Sequence, residues 1–221
     1  IGTYILEPNA YRVAAQKIVA LSERVRKDLD YEIEYINLGG GFASPNPLHY
    51  QYLPVEQVVP SIDDYAAALV DGIYSQLPPD REPPQLYLET GRALIDEAGY
   101  LISSVVAVKQ SSAHQLEVMP IGAADKSMGA ASVQVPGLAG YPNLIVDAGV
   151  NLLYTAGWYR FNIRPAKPNP GTPVPTKIYG CLCMNIDVLR EQASLPHLTI
   201  GDQIVFNPVG AYTVSYTHLT L

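Results

Sequence analysis

Cysteine is nearly missing from this sequence: only Cys181 and Cys183 occur among 221 residues. One Cys-x-Cys pair cannot staple a fold of this size, so a reducing, cytoplasmic setting is expected. Basic residues are also scarce. Fourteen Lys and Arg stand against 21 Asp and Glu, giving a formal charge of −7 and a pI near 5.0. That balance argues against a nucleic-acid binder and against a membrane-surface module. No apolar run approaches the roughly 20 residues of a membrane span. The opening Ile1-Gly2-Thr3-Tyr4 lacks an initiator methionine and the basic start of a signal peptide, so the chain is expected to begin inside a longer one. What is present, 48% apolar and 16% charged residues, suits a globular protein of one large domain or two modest ones.

Residues 10–29 carry a helical period. Ala10, Val13, Ala14, Ile18, Leu21 and Val25 form the expected apolar face, with Arg12, Lys17, Glu23, Arg24 and Lys27 elsewhere. A short strand, Ile33–Leu38, then ends in Gly39-Gly40-Gly41-Phe42. Residues 43–60, with four prolines, predict a long loop. A second helix is expected from the N-cap Ser61, with Asp64 three positions on, to Leu77, where Pro78-Pro79 stops it. A second strand follows at Gln85–Glu89. Helix, strand, glycine loop, helix, strand is the rhythm of a parallel α/β layer, open or closed into a barrel.

Past about Tyr100 the rhythm changes. Leu101–Lys109, Asn143–Asp147, Lys177–Tyr179 and Ile204–Asn207 are short β-branched or aromatic runs, separated by segments such as Arg164–Pro175 with five prolines. This half predicts an antiparallel β-domain. The boundary falls near residue 95, giving domains 1–95 and 96–221.

Four places could carry chemistry. Three glycines after a strand can expose successive backbone N–H groups to a phosphate, although a tight turn explains a lone triplet equally well. Glu89-Thr90-Gly91-Arg92 follows the next strand. In a barrel both loops would open on one face, where Arg can grip a phosphate and Glu can pair with a protonated ring nitrogen. Alone, that pair is as easily a local ion pair. Cys181 and Cys183, without further Cys or a nearby His, make a poor zinc site, and a structural thiol is the ordinary reading of either. Gly210-Ala211-Tyr212 carries almost no signal alone.

In order, these pieces resemble the fold-type III pyridoxal-phosphate decarboxylases, the diaminopimelate, ornithine and arginine decarboxylase group. Ile1-Gly2-Thr3 looks like the tail of that family's His-x-Gly-Ser/Thr segment, and Leu38-Gly39-Gly40-Gly41-Phe42 like its phosphate loop. Glu89-Thr90-Gly91-Arg92 resembles its Glu-Pro-Gly-Arg, and Ala98-Gly99 with Val105–Lys109 continues in its manner. Val146-Asp147-Ala148-Gly149 resembles its Asp-Ala-Gly element, Cys183 to Asp187 its Cys-x-x-x-Asp motif, and Gly210-Ala211-Tyr212 its closing Gly-Ala-Tyr. The resemblance implies the second half of a TIM-type, alanine-racemase-like barrel followed by a β-barrel or sandwich domain. It implies a homodimer with shared active sites and pyridoxal 5'-phosphate as cofactor. Gly39, Gly40, Gly41, Arg92, Tyr212 and Thr3 would hold the phosphate, and Glu89 the pyridine nitrogen. Cys183 would donate a proton to the substrate carbon, and Met184 and Asp187 would face the substrate. Cys181 stays structural.

The departures are informative too. The family's Schiff-base lysine and ring-stacking histidine lie before the position matching Ile1, so this chain is expected to be a later portion that does not catalyse alone. Lys17, Lys27, Lys109 and Lys126 stand in the wrong contexts to substitute. Met184 occupies the place of a carboxylate that meets a distal ammonium, and Leu152-Leu153-Tyr154 replaces a stretch that supplies an arginine. A less basic or carrier-tethered amino acid is therefore expected as substrate. Residues 216–221 do not resemble the family's closing strand. Two other readings stay open: a non-catalytic homologue acting as a binding or regulatory partner, and a racemase using the same cofactor.

Overall fold

The computed structural model describes residues 1–110, 115–118, 131–134 and 141–213. Lys126 and residues 216–221, singled out above, lie outside that set. Two units divide the chain: residues 1–99 with 158–161 and 208–213, and residues 100–157 with 162–207. A single cut near residue 95 would assign both returning segments to the second unit; their contacts place them in the first.

In the first unit, helix α1 (Pro8–Leu29) begins on a proline, whose missing N–H costs nothing there, and ends at Asp30 in the left-handed region, with Arg26 and Lys27 in its last turn. Its buried face is Tyr11, Ala15, Val19, Ser22 and Glu23, one position round from the face expected from the aliphatic residues. Aromatic packing decides this. The Tyr11 ring stacks on Phe42 at 4.6 Å and meets Tyr65 edge-on at 5.3 Å. Each such pair contributes about 0.5–1.5 kcal/mol beyond its buried area. Leu21 is left 53% exposed, beside an apolar cleft of about 260 Å³ that Ile18, Val25 and Tyr35 also line. Glu23 tolerates burial because Arg26 at 2.8 Å and Arg81 at 3.6 Å pair with it. The hydrogen bond from Arg26 holds its carboxyl below the usual range.

Strand β1 (Tyr35–Asn37) is shorter than the expected Ile33–Leu38. The expected loop over 43–60 contains a single helical turn, α2 (Val55–Val58). Helix α3 (Ile62–Tyr74) starts as expected from Ser61, whose hydroxyl accepts from the Asp64 N–H while the Asp64 carboxylate accepts from the Ser61 N–H. It stops at Tyr74, short of the expected Leu77. Strand β2 (Gln85–Tyr87) pairs with β1 in parallel, Ile36 opposite Leu86, and helix α1 packs along α3. A last short turn, α4 (Arg92–Ile95), continues into a 3₁₀ turn at Asp96–Ala98.

In the second unit, six strands form one sheet in the order β7-β10-β3-β6-β8-β9. They are β3 (Leu101–Gln110), β6 (Pro142–Val146), β7 (Asn162–Pro165), β8 (Val174–Tyr179), β9 (Val188–Leu195) and β10 (Gln203–Asn207). Two further strands, β4 (Gln115–Val118) and β5 (Ala131–Gln134), pair antiparallel as a separate two-stranded sheet. The end strands β7 and β9 touch, so the sheet is nearly closed. Closure hides the edges that an open sheet leaves unpaired. Two expectations need correction. The sheet is not wholly antiparallel, because β6 and β8 run in parallel, Leu144 opposite Ile178. The proline-rich stretch 164–175 also donates residues to two strands, β7 and β8. Their prolines are tolerated at strand termini and bulges. Strand β9 escaped the sequence because Arg190-Glu191-Gln192 interrupts its apolar alternation. Among the described residues, no helix is long and apolar enough to cross a membrane.

Candidate functional site

The glycine triplet leaves β1 and meets the residues that leave β2. Because the strands are parallel and adjacent, their carboxyl ends deliver both loops to one place. The Glu89 N–H donates to the Gly39 carbonyl at 2.8 Å. A Cβ at Gly40 would collide with the Glu89 carbonyl oxygen, so only glycine lets the two backbones approach this closely. Gly39 and Gly41 adopt positive φ, 69° and 92°. Asn37 ties the corner together: its Oδ1 accepts from the Gly39 N–H at 2.7 Å, and its Nδ2 donates to Glu89 Oε1 at 2.7 Å. From below, the Tyr11 hydroxyl donates to the Gly40 carbonyl at 2.9 Å. Thr3 lies in the exposed N-terminal stretch, whose Ile5 N–H donates to the Gly41 carbonyl.

Arg92 is buried, not splayed into solvent. Its guanidinium carbon lies 4.1 Å from the Tyr159 ring centroid and 4.9 Å from that of Tyr212, a cation held between two π faces. Its Nη1 donates to Asp96 Oδ2 at 3.1 Å. The same oxygen accepts from the Ser44 hydroxyl at 2.5 Å and from Asn46 Nδ2 at 3.4 Å. The Arg92 Nε is buried without a partner. Asp96 also anchors the closing segment, its carbonyl accepting from the Gly210 N–H at 2.8 Å. That docking brings in Tyr212, itself at positive φ and partly exposed. Tyr4 completes the cluster by donating to the Asn46 carbonyl at 2.8 Å. Burial pushes its phenol up to about 12 and raises that of Tyr159 as well.

The first unit thus brings together Gly39, Gly40, Gly41, Glu89, Arg92 and Tyr212. Asn37, Ser44, Asn46, Asp96 and Tyr159 join them and were not singled out from sequence. Asp96 alone carried a local signal, its i+4 spacing from Arg92. The others depend on long-range contacts.

Cys183, Met184 and Asp187 belong to the second unit, on the turn between β8 and β9. Both cysteines are free and exposed, and Met184 is exposed. Asp187 is only 2% exposed. Its Oδ1 accepts from the Val150 N–H and its Oδ2 from the Leu182 N–H, each at 2.7 Å. Both carboxylate oxygens, expected to face a substrate, are thus engaged by backbone N–H groups. The Asp147 carboxylate binds the Ser103 hydroxyl at 2.6 Å and the Ser104 N–H at 2.8 Å. Among the described residues no group of three or more His, Cys, Asp or Glu could hold a metal ion.

Comparison with known proteins gives the chain its relatives. The family described as pyridoxal-dependent decarboxylase, C-terminal sheet domain, matches residues 73–210. A diaminopimelate decarboxylase of Archaeoglobus fulgidus is 27% identical over 216 residues, 96% of this chain and 42% of the relative's length. Antizyme inhibitor 2 of Xenopus laevis is 24% identical over 97% of this chain and 42% of its own. The crystal structure of a diaminopimelate decarboxylase from M. jannaschii with L-lysine superposes with a TM-score of 0.71 at 25% identity, over 97% of this chain and 42% of that one. The chain therefore spans less than half the length of the curated relatives it matches.

Proposed function

The chain belongs to the pyridoxal-dependent decarboxylases, and from that premise we propose that it forms the later part of an enzyme that removes the α-carboxylate of an amino acid. The observation that carries this reading is the convergence of the glycine corner, Glu89, Arg92 and Tyr212 within one unit. The residues present fit pyridoxal 5'-phosphate. The buried Arg92 Nε is a donor without an acceptor, and a phosphate oxygen supplies one. Since the Gly39 N–H is committed to Asn37, Gly40 and Gly41 are the backbone donors of the triplet. The Tyr212 hydroxyl and Thr3 complete the grip. Asn37 orients Glu89 through one oxygen, so that the carboxylate keeps a ring nitrogen protonated. When bound, the cofactor supplies an electron-accepting ring conjugated with the substrate α-carbon. The Cys183 thiol holds the proton that the α-carbon receives after CO₂ departs. Met184 beside it offers an apolar thioether where a distal ammonium would need a carboxylate, which favours a less basic or carrier-tethered amino acid.

The first unit, residues 1–99 with 158–161 and 208–213, then represents the second half of a TIM-type barrel, and the second unit the β-domain. A homodimer that shares its active sites presents Cys183 to the neighbouring copy. Two exposed, unpaired thiols suit a reducing cytoplasm. The test is absorbance and gas release: joined to the barrel half that supplies the lysine, the chain binds pyridoxal phosphate with a visible absorption band and releases CO₂ from an amino acid. A colourless protein indifferent to added cofactor overturns the assignment.

One specific observation favours a second reading, a non-catalytic partner protein. An antizyme inhibitor is among the relatives, and Thr90 and Met184 depart from the decarboxylase pattern. In that case the joined protein releases no CO₂. A racemase would instead abolish optical rotation without gas release.

A further inference from the structure

The buried Asp187 carboxylate is not explained by its place in a surface turn. An acidic side chain removed from water needs full hydrogen-bond compensation, and here it comes entirely from backbone. Leu182, inside the turn that follows β8, donates to Oδ2, and Val150, on the loop after β6, donates to Oδ1, each at 2.7 Å. The Asp187 carbonyl accepts from the Gly180 N–H at 2.9 Å, closing residues 180–187 into a loop around its own side chain. Two glycines make the room. A Cβ at Gly180 would overlap the Asp187 carboxylate, and one at Gly149 would lie 2.9 Å from Leu182 Cγ and 3.1 Å from Asp187 Oδ1. The neighbouring Asp147 carbonyl receives the Cys181 thiol at 3.3 Å, while Asp147 itself is tied to Ser103 and Ser104 of β3. The Asp147-Ala148-Gly149 loop and the Cys183 turn are thereby locked together by one carboxylate.

From this geometry we infer that Asp187 is a positioning residue: it clamps the turn that carries Cys183 to the Gly149–Val150 loop, presenting the thiol on a rigid support. Its catalytic meaning rests on the reading of Cys183 above, but the clamp is tested without cofactor. The clamp places the two thiols differently, one bonded to the Asp147 carbonyl and one offered outward. In the native 221-residue chain, Cys183 therefore alkylates faster than Cys181, by about threefold or more, the scale of one weak hydrogen bond. Asp187→Asn is nearly isosteric but sets an NH₂ donor against a backbone N–H, so the clamp opens and the ratio falls to about one. A merely structural residue would lower the melting temperature and leave the ratio of the refolded native protein unchanged, and that result overturns the proposal. Should Asp187→Asn not fold, hydrogen exchange of the unaltered chain decides. The Leu182 and Val150 amides, both in surface loops, exchange far more slowly than their neighbours if the carboxylate holds them, and free exchange at both overturns the clamp. Neither readout depends on decarboxylation, so failure of the enzymatic reading leaves this result separate.

Discussion

Arg92 and Asp96 stand one helical turn apart and pair at 3.1 Å with only 7% and 1% of their side chains exposed. Breaking a buried pair from one side strands the other charge, which costs about 3–5 kcal/mol. Asp96→Ala is therefore expected to lower unfolding free energy by about that amount in urea titration. Asp96→Asn, which keeps an acceptor for Ser44, should cost less. Equal losses in the two variants would show that the charge carries the whole effect and the acceptor for Ser44 contributes nothing.

Gly40 tests the glycine corner. Gly40→Ala drives a methyl into the Glu89 carbonyl, and the overpacking costs about 1–3 kcal/mol. Because the shift moves Glu89 and the triplet together, pyridoxal phosphate binding by the joined enzyme should weaken in parallel. Unaltered stability and unaltered cofactor affinity would remove the corner from the site.

The α3 cap provides a control remote from any chemistry. Ser61→Ala removes the hydroxyl that accepts from Asp64, a loss of about 1 kcal/mol. Cofactor binding should not respond.

Alkaline pH acts through buried phenols. Burial pushes both Tyr4 and Tyr11 from the ordinary 10.0 up to about 12. The folded chain then keeps protons that the unfolded chain releases first, so unfolding is favoured as pH rises. Their contribution is complete below pH 10 and declines toward about pH 12, and thermal unfolding followed with tyrosinate absorbance should show that decline. Tyr4→Phe should flatten part of it.

Cys183→Ala in the joined enzyme separates binding from proton delivery. Loss of a general acid slows turnover by about 10²–10⁴, while the cofactor band stays. Cys181→Ala should retain most activity, since that thiol is spent on a hydrogen bond to the Asp147 carbonyl of the neighbouring loop.

Local patterns in the sequence were enough to announce α1, the Ser61 cap, the two parallel strands and the glycine and Glu89 loops, because helix periodicity, capping and strand-ending glycines act over a few residues. They also announced the family, since its motifs keep their order along the chain. The buried face of α1 was decided elsewhere: Tyr11 turned inward because Phe42 and Tyr65 arrived from distant segments, and Leu21 lost the place its hydrophobicity suggested. The return of residues 158–161 and 208–213 to the first unit followed the same rule, as did the ring of groups around Arg92, for a buried guanidinium recruits counter-charge and aromatic faces from wherever the fold supplies them. Asp187 shows the difference most clearly. The family resemblance turned it toward a substrate, whereas in the structure two backbone N–H groups brought from separate loops occupy its two oxygens.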